Sequence, residues 1–186
     1  MKDDEGAEVL QRFCSIENLS YGRNKTLPLT SRMQDAMQMQ SAVSTLGKIY
    51  ASKAVKGEKI GDESALLLGI LLDLATLQIE LVDEFIPSIK RDADYDFRMK
   101  GLKKMRTGLA TVFVSAYSAV AEDPLFTDKN RSDILAKIAL NSERFATVLD
   151  QDVKSEMLLK HKKLNEKIND PKDTTAITTI LAALKG

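Results

Sequence analysis

The chain has 186 residues, 44% hydrophobic and 29% charged, which is enough to bury a full core and too apolar for a disordered polymer. Lysine plus arginine and aspartate plus glutamate each number 27, so no global field selects nucleic acid or an anionic membrane. The lone cysteine, Cys14, and the lone histidine, His161, exclude an intramolecular disulfide and a Cys/His metal cluster.

Residues 1–29 read as an N-terminal extension, with a candidate short helix at 7–13 and a loop at 18–28 signalled by Tyr21-Gly22-Arg23-Asn24. Residues 30–186 are expected to form one helical domain. Its first long helix is predicted at 31–55, because Ser31 and Gln34 fit a capping box and Gly57 follows as a stop signal. Met33, Ala36, Met37, Val43, Leu46, Ile49 and Tyr50 recur at three-and-four spacing and define its core face.

The second helix, 62–86, is the apolar centre of the predicted fold. Leucine, isoleucine and valine cover most of its circumference and leave a narrow polar stripe through Gly69, Asp73, Thr76, Glu80 and Asp83. A helix this apolar must be contacted on several sides. Asp73 and the later carboxylates interrupt it too often for a membrane span, which needs about 20 mostly uncharged residues. Pro87 predicts a kink or break, because it removes the bond to the carbonyl of Asp83.

The third helix, 94–121, carries a near-heptad seam of Leu102, Met105, Leu109, Val112, Phe113, Ala116 and Val120, and Asp123-Pro124 should end it. A fourth is expected at 132–149. A fifth, thinly apolar one at 153–168 reads either as separate or as its continuation. Asp170-Pro171 looks like a cap followed by proline at the first helical position, opening a last helix with Ile177, Ile180, Leu181 and Leu184. Period-two alternation is absent. The fold class is therefore all-α: a single-domain bundle of five to seven helices around the apolar helix at 62–86.

Candidate chemistry is sparse. Asp73, Glu80, Asp83 and Glu84 could form a carboxylate site, but a ferritin-like di-iron centre needs Glu-x-x-His pairs that one histidine cannot supply. The preferred reading is an ion-paired edge facing the basic start of the third helix, Arg98, Lys100, Lys103, Lys104 and Arg106. Those residues, and a second cluster of Lys160, Lys162, Lys163 and Lys167, could grip phosphates. With 5% aromatics there are few stacking platforms, so nucleic-acid binding is not expected.

His161 has no carboxylate three or four residues before it and reads as a surface histidine, Ser115 and Ser118 as packing serines, and Cys14 as an idle thiol. Met33, Met37 and Met39 alternate with glutamines, and because Met33 and Met37 share the core face the stretch reads as core packing before an adaptable binding face. No cofactor or metal is implied, and no phosphate loop, dinucleotide fingerprint or zinc pattern occurs.

The expected function is non-catalytic: a helical protein that binds another protein as an adaptor, an inhibitor or a toxin-neutralising, immunity-type partner. The interaction surface is expected among Arg98, Lys100, Lys103, Lys104, Asp73, Glu80, Asp83 and Glu84. One alternative holds a small apolar ligand between the second and third helices, beside Gly101, Gly108, Ala110 and Ala116. Another is a carboxylate-dependent helical enzyme using Asp73 or Glu80. The polar, acidic start, with no signal peptide, predicts a cytoplasmic location, or a secreted or periplasmic one if a leader has been removed.

Overall fold

A computed structural model describes residues 3–122, 126–165, 168 and 170–186. Helices and short turns account for the ordered structure, with no strand among the described residues. The chain divides into two compact units, Met1–Lys103 and Lys104–Gly186.

The first unit holds α1 (Asp3–Phe13), α2 (Ile16–Arg23), α3 (Leu29–Val55) and α4 (Gly61–Phe85). The segment read as an extension builds part of its core, since Ala7, Cys14 and Leu19 are buried against α3 and α4. The loop expected from residue 18 starts later. Ser15 caps α2 by accepting from the Asn18 amide at 3.5 Å, and Leu19 turns inward. Gly22, read as a turn signal, sits instead where α2 approaches α4, and a Cβ there would lie 2.6 Å from a Leu77 methyl.

α3 begins at Leu29, earlier than the capping box suggested. Pro28 occupies the cap position at φ −55°, and no side chain caps the helix. Its buried line runs through Arg32, Ala36, Met39, Val43, Leu46 and Tyr50. Met37 points to solvent at 71% exposure, so Met39 supplies the core contact expected of it. The helix stops as expected: Gly57 adopts φ +80°, its amide reaches Ala54 O at 3.0 Å, and that of Glu58 reaches Lys53 O at 3.2 Å.

The turn after α3 returns the chain antiparallel as α4, whose residues Ile70, Leu74, Leu77 and Leu81 interlock with α1–α3. Each such leucine removed from water contributes roughly 1.5–3 kcal/mol. Leu72, Ile79 and Val82, on other sides of α4, are buried as well, as a helix this apolar demands. Gly69 and Thr76, placed in the polar stripe, are also buried, and Thr76 satisfies its hydroxyl on Leu72 O at 2.8 Å. Gly61–Ser88 is long and apolar enough to cross a membrane, yet 61% of its most apolar window is buried, as in a core helix. Pro87 breaks the helix, and a 3₁₀ turn follows over Ile86–Ser88.

α5 (Tyr95–Glu122) runs through the boundary between the units. Its buried residues, Ala110, Phe113, Ala116, Tyr117, Val120 and Ala121, lie in its second half. Met105, expected in the seam, is 49% exposed. The expected stop at Asp123-Pro124 lies outside the described residues.

In the second unit, α6 (Asp128–Ala146), α7 (Gln151–Asn165) and α8 (Pro171–Lys185) follow α5. α6 starts before Ser132, because Thr127 caps it by accepting from the Asn130 amide at 3.2 Å. α7 is a separate helix, divided from α6 by the turn at 147–150. Asp170 caps α8, accepting from the Lys172 amide at 2.8 Å, with Pro171 at the first position as anticipated. The starts of α6 and α8 line one cleft and their ends another, so the two helices run side by side in the same direction. Asp128 and Asp173 sit in their first turns, where carboxylates offset the converging positive dipole ends, and Ser132 donates to the buried Asp173. Phe113 of α5 stacks on Phe145 of α6, with ring centroids 5.0 Å apart.

Candidate functional site

Two carboxylates of α4, Glu80 and Glu84, pair with arginines inside the first unit. Glu80 accepts from Arg23 Nε at 2.8 Å, and Glu84 takes both terminal nitrogens of Arg32. The cations on Glu80 and Glu84 come from α2 and α3. Arg32 is 2% exposed, and its hydrogen bonds hold the Glu84 carboxyl below the usual carboxylate range. Asp73 is half-buried with its own interactions, and Asp83 is exposed. Among the described residues, no group of three or more His, Cys, Asp and Glu is placed to hold a metal ion.

Of the basic residues, Arg98 staples the connection into α5. It donates to Lys90 O at 2.9 Å and to Asp92, whose carboxyl it draws below its ordinary pKa. Lys103 has interactions within the chain. Lys100 and Lys104 are exposed and form no ion pair among the described residues.

These two lysines share a face with Phe97, which sequence reasoning passed over, and with Gly101 and Gly108, which it placed beside an apolar ligand. At about 100° per residue, Phe97, Lys100, Gly101, Lys104 and Gly108 fall on the side of α5 opposite its buried line, with Met105 at the edge. Phe97 is 81% exposed. A Cβ added at Gly101 or Gly108 would meet nothing within 4 Å, so both glycines open on solvent and neither lines an apolar cavity. The available signal was the spacing of Phe97, Gly101, Lys104 and Gly108 on the side away from the apolar seam.

Glycine in an exposed helix interior costs about 0.8–1 kcal/mol relative to alanine. The double variant Gly101→Ala/Gly108→Ala is therefore expected to raise stability by about 1.5–2 kcal/mol in urea denaturation. A lowered midpoint would show that the glycines serve packing within the chain.

Lys160 donates to Ser118 at 2.9 Å and lies 3.2 Å from Glu156, while the side chains of Lys162, Lys163 and Lys167 lie outside the described residues. Ser115 is exposed. His161 is half-buried, with Nδ1 lacking a hydrogen-bond partner among the described residues, and desolvation lowers its pKa with help from Lys185. Cys14 is buried beside Met39 O, and burial raises its thiol pKa. The Tyr117 hydroxyl is buried without a hydrogen-bond partner among the described residues, its pKa pushed up to about 12 by desolvation.

No protein-family model matches the chain, and neither curated protein sequences nor solved structures give a significant match.

Proposed function

We propose that the chain is a non-catalytic binding protein whose outward face on α5, centred on Phe97, Lys100 and Lys104, engages another protein. The 81% exposure of Phe97 carries the reading. Phe97 contributes little to the chain's own core, and aromatic side chains are enriched where protein interfaces concentrate their energy. Lys100 and Lys104 add positive charge that no carboxylate among the described residues neutralises. The α4 acidic residues fit this division of labour, because Glu80 and Glu84 already serve the fold through Arg23 and Arg32.

The test is affinity capture from extract of the source cells, comparing the parent with Phe97→Glu/Lys100→Glu/Lys104→Glu. A defined partner is expected on the parent, with retention falling by about tenfold or more on the variant. Equal capture by both proteins, or no partner on the parent, would overturn the proposal.

A further inference from the structure

The geometry points to an acidic amphipathic helix as the occupant of the α5 face, an assignment that rests on the interaction surface proposed above. Phe97, Gly101, Lys104 and Gly108 follow the four-three-four spacing of a helix-packing seam. Two successive holes result. One is framed by Phe97, Lys100, Gly101 and Lys104, and the next by Gly101, Lys104, Met105 and Gly108. Each has glycine in its frame, open to solvent and free of any contact a side chain would displace.

A partner helix can therefore seat apolar side chains close to the α5 backbone at Gly101 and Gly108, along the seam that Phe97 opens, with Lys100 on one edge and the Met105 thioether on the other. Lys100 on the edge, and the long Lys104 side chain reaching out from the seam, then require carboxylates along the near side of the seated helix. Asp94 and Asp96, at the start of the helix, form no ion pair with Lys100 or Lys104 among the described residues.

A second copy of the chain fits poorly. Antiparallel pairing of two such faces brings their lysine edges together, and parallel pairing sets Lys104 against Lys104. A membrane surface fits poorly too: only Phe97 and Met105 project as large apolar groups, and the glycines remove the continuous apolar face that interfacial helices bury.

The experiment uses the full chain and a synthetic three-heptad helix with leucine at the seam and glutamate at its flanks. Its controls are the same peptide with lysine flanks and vesicles of phosphatidylcholine with phosphatidylserine. Fluorescence anisotropy should show the acidic peptide binding at least about tenfold tighter than the basic one, and Lys100→Glu/Lys104→Glu should reverse the order. Gly101→Leu should weaken the acidic peptide by about tenfold or more without lowering the melting temperature, because its side chain fills the holes and meets nothing in the chain itself.

Equal affinity for both peptides, vesicle binding without peptide binding, concentration-dependent dimerisation abolished by Phe97→Glu, or unchanged binding by Gly101→Leu would each overturn the assignment. If the acidic peptide fails while capture of a cellular partner still depends on Phe97, the acidic-helix assignment falls and the interaction surface stands.

Discussion

Phe113→Ala is expected to lower the unfolding free energy by about 3–5 kcal/mol, the range for deleting a fully buried aromatic ring. Phe113 and Phe145 are both 0% exposed, and their rings stack at 5.0 Å with planes 27° apart. Removing one leaves the other facing a void, and the small Ala110 and Ala116, a turn away on α5, cannot close it. Phe113→Leu keeps most of the volume and should cost about half as much, losing mainly the ring contact. Urea denaturation followed by helical circular dichroism reads both. The contrast is Phe97→Ala on the same helix, expected within about 0.5 kcal/mol of the parent, because an exposed side chain leaves no cavity. A loss below about 1 kcal/mol for Phe113→Ala would mean that the stacked pair does not anchor the second unit.

Apolar periodicity reveals which residues must leave water, and that is why α4 was legible in the sequence: its leucines permit little except burial on several sides. The stop at Gly57 and the start at Asp170-Pro171 were legible for a related reason, since each depends on local backbone chemistry. Helix starts at Leu29 and Asp128 were less so. Each region offers several capping residues, and Pro28 and Thr127 prevailed over Ser31 and Ser132.

The α5 seam was misplaced for a geometric reason. A strict heptad drifts by about 20° per repeat from a straight helix, so a line through Met105 and Val112 moves off the face that buries Phe113, Tyr117 and Ala121. Phe97 carries no apolar-periodicity signal, because a lone aromatic on a polar face has no large apolar neighbour at helical spacing. Only its 81% exposure separates it from the core phenylalanines.

Arg32 was equally hidden, because an arginine in the first turn of a helix ordinarily reads as solvated. The fold buries it to 2% exposure and uses every part of the guanidinium. Nε reaches Leu27 O at 3.3 Å, Nη1 reaches Gly22 O at 3.5 Å and Glu84 Oε2 at 3.0 Å, and Nη2 takes Glu84 Oε1. One side chain thus ties the end of α2, the loop after it, the start of α3 and the end of α4. Arg32→Ala is expected to cost about 2–3 kcal/mol, from carbonyls left without a donor and a buried stem left without packing. Arg32→Lys keeps the charge but cannot fork across both carboxylate oxygens, so it should recover only part of that loss.

The pH dependence has a definite sign. Hydrogen bonding to Arg32 lowers the Glu84 pKa in the folded chain relative to the unfolded one, so the pair stabilises the fold above the unfolded value of about 4.3 and fades as the pH falls through the folded value. The stability gap between the parent and Arg32→Ala should accordingly narrow on acidification below about pH 4. Glu84→Gln should flatten the acid limb of the parent's stability curve. Arg23 and Glu80, paired with more water around them, should contribute no more than about 1 kcal/mol and little of the acid response. A gap between the parent and Arg32→Ala that stayed constant from neutral pH into the acid range would show that Arg32 acts through its carbonyl contacts alone.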